Sequence, residues 1–368
     1  MRFGIAGPIS KDHIIVPIGE KMGKYGAVAY SASAMAKLLE GSTDQVICLS
    51  HLSAADFEAV STLLRHPNIN LSGLRILNNG TTEIELAYID EKERRSRQIN
   101  VMPPLTLAEM DLLSECEAVL LMPLNETDIP LECVQKLRNS SNAVIFLDAH
   151  GLVTGLSKTG ERFRKTWTGA REWFTCIDIL KMNENEASWV AGQPMEKYEE
   201  FAQFAASIVE FGLNACWITF GDQSSLISWR RENHIFWTSV PVVKGIGPVL
   251  ETTGCGDASS AGFINTYMKT YHNPVASVIL GNTMGSLKAT FQETNTFPSR
   301  PEIRGVIGYH YREYLHTLLD DFLSRSQLIV HEMKGGRDIE SFMYYPDGSS
   351  FGPGANHARD RGGQGTST

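Results

Sequence analysis

Short apolar runs rich in β-branched residues alternate along the chain with longer amphipathic segments. Arg2–Ala6, Gln45–Leu49, Ala143–Asp148, Cys176–Met182 and Ala215–Phe220 predict strands. Ala27–Leu39, Ala54–Leu64, Lys197–Phe211, Gly256–Tyr267 and Ala276–Thr290 predict helices. Strands separated by helices of about 10–15 residues imply βαβ units, hence an α/β fold with a mostly parallel central sheet flanked by helices. One stretch departs from this pattern. In Glu83–Asp90 the apolar Ile84, Leu86 and Tyr88 fall at every second position, as in a half-buried antiparallel strand. The charged Glu91–Arg97 and then Gln98–Val101 complete a hairpin with a solvated turn, which predicts a small accessory sheet or lid.

Composition narrows the class. Of 368 residues, 42% are hydrophobic and 20% charged, an ordinary globular balance. The formal net charge of −9 argues against nucleic acid as a partner, because phosphate backbones select basic surfaces. Ala118–Leu124, the longest apolar stretch, falls well short of the ~20 residues of a helical membrane span. Arg2–Ala6 reads as a strand and not as the apolar core of a signal peptide, so a cytoplasmic location is expected. The six cysteines (48, 116, 133, 176, 216 and 255) are scattered without a C-x-x-C pair, which fits reduced thiols. Pro346–Thr368 carries six Gly and two Pro and reads as a disordered tail. The folded domain is expected over residues 1–330, with 331–368 as an extension, disordered from about 346.

Candidate chemistry concentrates in Glu251-Thr-Thr-Gly-Cys-Gly-Asp257 and the helix that follows. Gly254 and Gly256 permit a tight turn with uncovered amides, and the helix start adds unpaired N–H groups and a positive dipole end. Asp257 falls in the first turn, where the dipole favours its ionised form. A carboxylate base beside an anion cradle is what phosphoryl transfer to an alcohol requires. Taken alone, the same residues also describe a capped helix start. Gly19–Tyr25 resembles a P-loop but is one spacer short, and no G-x-G-x-x-G follows the first strand.

The segment resembles the second signature of the ribokinase-like (PfkB-type) carbohydrate kinases, D-T-x-G-A-G-D-x-F-x-x-G, intact at Gly254, Gly256, Asp257 and Gly262. Glu251 replaces the leading Asp, Cys255 an Ala and Ser259 a Phe; the longer Glu251 alters the local geometry and any nearby cation site. Gly7–Asp12 is similar to the family's G-x-x-x-x-D, whose Asp binds acceptor hydroxyls, and Gly26 matches one glycine of its di-glycine. Asn183 and Glu186 match N-x-x-E, which organises hydrated Mg²⁺ and phosphate, and they also form a capping-box pattern. Asp148–Gly151 resembles a D-x-x-G loop, in which His150 reads as a loop residue and not a catalyst.

The resemblance implies a ribokinase-like fold with lid strands at about 12–25 and 82–102, and an ATP-dependent kinase acting on a hydroxymethyl group of a sugar or sugar-like molecule. Asp257 would be the base, with Gly254, Cys255 and Gly256 as the anion hole. Asp12, Gly26 and Tyr30 would face the acceptor, and Asn183, Thr219, Gly221, Thr253 and Asn282 the nucleotide. Mg²⁺ would lie near Glu186, and a monovalent cation is a further candidate cofactor. Two alternatives accompany this reading. One is a nucleoside kinase, with Tyr25, Tyr30 or Tyr88 stacking a base; the other is an inactive homologue that senses a sugar or nucleotide. An exposed lid face would suit a homodimer.

Overall fold

The computed structural model describes residues 1–16, 19–88, 94–312 and 329–333. The expected tail from 346 and the tip of the predicted hairpin turn lie outside the described residues. In chain order the strands are β1 (Arg2–Ala6), β2 (Ile9–Val16), β3 (Gly19–Ala27), β4 (Gln45–Leu52), β5 (Ile69–Ile76), β6 (Thr82–Tyr88), β7 (Arg94–Asn100) and β8 (Ala118–Leu121). They continue as β9 (Val144–Asp148), β10 (Thr154–Leu156), β11 (Arg162–Arg164), β12 (Ile179–Asn183), β13 (Ala215–Phe220), β14 (Ser224–Arg231), β15 (His234–Pro241) and β16 (His331–Glu332).

The main sheet has the order β16-β15-β14-β13-β12-β9-β8-β1-β4-β5. From β13 to β5 every pairing is parallel; β13 to β16 pair antiparallel. Parallel strands covered on both faces need continuous apolar runs, and β1, β8 and β9 supply them. Helices 28–39, 255–269 and 274–288 bury one face of the sheet, around Phe146, Trp217 and Phe263. Helices 131–140, 184–191 and 198–211 bury the other, around Leu147, Leu180 and Phe204.

The expected lid is a four-stranded sheet of order β3-β2-β6-β7. Its two hairpins, β2–β3 and β6–β7, are antiparallel and meet along a parallel β2–β6 pairing. Lys11 and Tyr25 tie it to the body by converging on the buried Asp56, at 2.9 and 2.7 Å. A ribbon, β10–β11, meets the lid through Gln98 N–H donating to the Gly160 carbonyl at 2.8 Å. His331–Glu332 pairs with β15, so the chain rejoins the main sheet just past the boundary expected at 330.

Candidate active site

The parallel strands end on one edge of the sheet, where side chains leave the core and face the lid. Open α/β sheets bind ligands at these carboxyl ends. Here they carry Asp148 at the end of β9, Asn183 at the end of β12 and Thr219 near the end of β13. Together with Ser10 and Asp12 from the lid and the start of helix 255–269, they line a cleft of about 450 Å³.

Gly254 adopts φ +82° as the N-cap of helix 255–269, a left-handed conformation that costs glycine nothing. A Cβ there would also press on the Tyr30 ring at 3.3 Å. Thr253 N–H donates to Glu251 Oε1 at 2.9 Å, so Glu251 braces the turn. The Cys255 amide donates to the Thr252 carbonyl at 3.2 Å. This corrects the expectation of three uncommitted amides and leaves the cradle to Gly254, Gly256 and the remaining first-turn N–H groups.

Asp257 opens onto the cleft from that first turn. Burial foremost pushes its carboxyl up to about 7; the Lys181 ammonium opposes the rise, while the Asp148 and Asp12 charges add to it. Lys181 is buried, and its Nζ donates to Asp148 Oδ2 (2.9 Å), the Gly256 carbonyl (2.9 Å) and Ser260 Oγ (2.8 Å). It therefore clamps the end of β9 to the helix start and sets the charge around Asp257. Sequence reasoning passed over this lysine, although a charged residue inside an apolar strand run was its signal.

On the lid side, Asp12 is 8% exposed and Tyr30 2%, and both line the cleft. Gly26 pairs with Ser10 across β2–β3, and a Cβ there would meet Tyr30 at 2.7 Å, Ser10 Oγ at 2.9 Å and Asp12 Oδ2 at 3.1 Å. Its absent side chain is what lets these three groups converge. Tyr25 donates to Asp56 and does not line the cleft; the Tyr88 side chain lies outside the described residues.

On the opposite side, Asn183 and Glu186 form a reciprocal capping box: Glu186 N–H donates to Asn183 Oδ1 (2.8 Å), and Asn183 N–H to Glu186 Oε2 (3.0 Å). His150 Nδ1 lies 2.8 Å from Glu186 Oε1 and donates to it, and the Arg162 guanidinium lies 3.1 Å from His150 Nε2. Arg164 reaches Glu186 Oε1 at 3.4 Å. Burial opposes ionisation of Glu186, but the His150 hydrogen bond and the Arg164 charge outweigh it and hold the carboxyl below its usual range. Both Glu186 oxygens thus have protein partners, and no group of three or more His, Cys, Asp or Glu among the described residues is placed to hold a metal ion. Glu186 fits contact with a hydrated Mg²⁺ through water, not direct ligation. His150, Arg162 and Arg164 are further cleft residues that the sequence reading did not assign.

Two residues expected to face the nucleotide lie outside this cleft. Asn282 is buried, accepts from Ser225 Oγ at 2.7 Å and donates to the Val240 and Pro241 carbonyls, so its amide ties helix 274–288 to the β14–β15 hairpin and does not line the cleft. Gly221 turns between β13 and β14 with φ +55°, outside the cleft lining. Thr219 and Thr253 do line it.

Among the described residues no helix is long and apolar enough to cross a membrane. All six cysteines are free thiols.

Residues 31–301 match the family described as "pfkB family carbohydrate kinase". Arabidopsis thaliana ribokinase is 32% identical over 92 residues, 25% of this chain and 23% of that protein, so this match spans about a quarter of that relative's length. Two solved structures share the fold over most of both chains. A pyrophosphate-dependent kinase in the ribokinase family, complexed with a pyrophosphate analog and myo-inositol, is 21% identical, with TM-score 0.66 over 83% of this chain and all of that one. Arabidopsis thaliana ribokinase complexed with ribose and ATP is 18% identical, with TM-score 0.67 over 83% and 98%. The glycine-turn signature, the lidded parallel sheet and the family match over about three-quarters of the chain agree, and the chain belongs to the pfkB family of carbohydrate kinases.

Proposed function

We propose that the protein transfers the terminal phosphoryl group of ATP to a hydroxymethyl group of a sugar or sugar-like polyol. The observation that carries this reading is Asp257: a carboxylate with its pKa near 7, in the first turn of a helix whose N-terminal amides face the same cleft. A base poised near neutrality accepts the hydroxyl proton as the oxygen attacks phosphorus. The amides around Gly254 and Gly256 stabilise charge on the transferring group, in a site where they need no reorganisation. Asp12, gathered with Ser10 and Tyr30 around Gly26, accepts from acceptor hydroxyls and orients the attacking one. Glu186, fixed by its capping box with Asn183, would hold a hydrated Mg²⁺ through water, and such an ion would supply neutralisation of phosphate charge. The lid excludes water, which favours transfer over hydrolysis.

Arg162 and Arg164 on the cleft wall favour a second reading of the donor. Guanidinium groups suit a compact polyanion, and Asn282 offers no contact to a base, so pyrophosphate is the alternative to ATP. The test is a panel of sugars, polyols and nucleosides with Mg-ATP or Mg-pyrophosphate, following phosphorylated acceptor directly. Acceptor-dependent transfer from one donor supports the reading. Absence of transfer from both donors across the panel sinks it and favours a ligand-sensing homologue.

A further inference from the structure

One buried charge takes no part in the chemistry described so far. Lys288, the last residue of helix 274–288, has no exposed surface, and its Nζ has no hydrogen-bond partner among the described residues. It lies over the Phe297 ring at 6.0 Å from the centroid. A cation at a helix C-terminus complements the dipole, but that favours an exposed lysine as well as a buried one. Burying an ammonium away from acceptors is costly, so its place in the fold needs another account.

That place is directly behind the anion turn. The Ala289 carbonyl, one residue on, accepts from the amides of Leu250 (2.8 Å) and Glu251 (3.3 Å). Glu251 Oε1 accepts from Thr253 N–H, and the Thr252 carbonyl from Cys255 N–H. A short run of hydrogen bonds therefore joins the end of the lysine's helix to the first turn that carries Asp257. The charged groups that act on the ammonium are Glu251 from that turn and Lys24 from the lid; Cys255, whose thiol burial pushes up to about 11, carries no charge near neutrality. Burial foremost lowers the lysine's pKa, Glu251 counters that effect and Lys24 adds to it.

The monovalent cation implied by the sequence resemblance would belong near Glu251, and the residues present do not fit it, because an ammonium is already built into that region. We propose that Lys288 is an internal cation behind the anion turn. It holds the Glu251–Thr253 brace and adds positive potential beneath the Gly254 and Gly256 amides, so that transfer needs no added potassium, sodium or ammonium. Lys288 is a positioning residue and touches neither substrate. The inference rests on the phosphoryl-transfer reading of the cleft, and its test includes a measurement that needs no turnover.

The full-length protein is assayed, and melted without substrates, in potassium, sodium, ammonium and choline chloride at equal ionic strength. For the wild type, kcat should agree within about twofold across the four salts, with no specific rise in melting temperature in potassium. Lys288→Met should lower kcat by about 100-fold, with acceptor KM within about threefold. Potassium or ammonium, but not choline, should restore at least tenfold and raise the variant's melting temperature. Potassium activation or stabilisation of the wild type would overturn the proposal, as would a Lys288→Met enzyme within threefold of wild-type kcat or one no cation rescues. Should Lys288→Met fail to fold, the wild-type salt series decides. If no donor–acceptor pair supports turnover, the melting series still decides the cation question separately from the phosphoryl-transfer reading.

Discussion

The chemistry of this site comes down to how one carboxylate is set among charges. Asp257 would titrate in the ordinary acid range in water, but burial together with Asp148 and Asp12 raises it to about 7 against the opposing ammonium of Lys181. As the proposed base, Asp257 must be ionised, so kcat/KM for the acceptor should rise about tenfold per pH unit below neutrality and level off above it, with a midpoint at about 7. Removing the ammonium withdraws the one named charge that favours ionisation, so Lys181→Met should move this midpoint to higher pH. It should also cost about 3–5 kcal/mol in urea denaturation, because Asp148 loses its buried counter-charge. A midpoint that stays in place in a folded Lys181→Met enzyme would mean that another group titrates in the profile.

At the level of elements, two devices make the site. The glycine turn before helix 255–269 aims amides and Asp257 at the cleft, and the β2–β3 pairing sets Gly26 opposite Ser10, beside Asp12 and Tyr30. Gly26→Ala inserts a methyl group among those three side chains. It should raise acceptor KM by about tenfold while kcat falls less than threefold, as expected when binding shared by ground and transition states is lost; steady-state kinetics on the panel's best acceptor checks this. The turn was legible in the sequence because its glycines, its carboxylate and its helix start are adjacent residues, and so was the Asn183–Glu186 cap. Lys181 was not, because its partners lie 33, 75 and 79 residues away along the chain. Arg164 reaches Glu186 through the β10–β11 ribbon, whose strands of three residues leave little periodicity to read. Asn282 was misread for the opposite reason. Its place on the helix after the signature suggested a ligand contact, but the β14–β15 hairpin satisfies its amide inside the core.

For the whole molecule, alternating apolar runs and amphipathic segments were enough to indicate a parallel sheet between helical layers, because strands covered on both faces must be continuously apolar. The antiparallel end of the sheet, β14 to β16, and the β2–β3 lid hairpin were less visible, since polar and charged residues there serve turns and edges. A net charge of −9 is compatible with the proposed polyanionic donor because Lys181, Arg162, Arg164 and the Gly254–Gly256 turn all line the cleft. The most direct test of the account compares wild-type protein with Asp257→Asn on one acceptor, with binding measured by calorimetry and transfer by phosphorylated product. The account predicts acceptor affinity within about threefold and a loss of kcat of about 10²–10⁴-fold, the range for a lost general base. Transfer by Asp257→Asn at near wild-type rate, with the acceptor still bound, would contradict it.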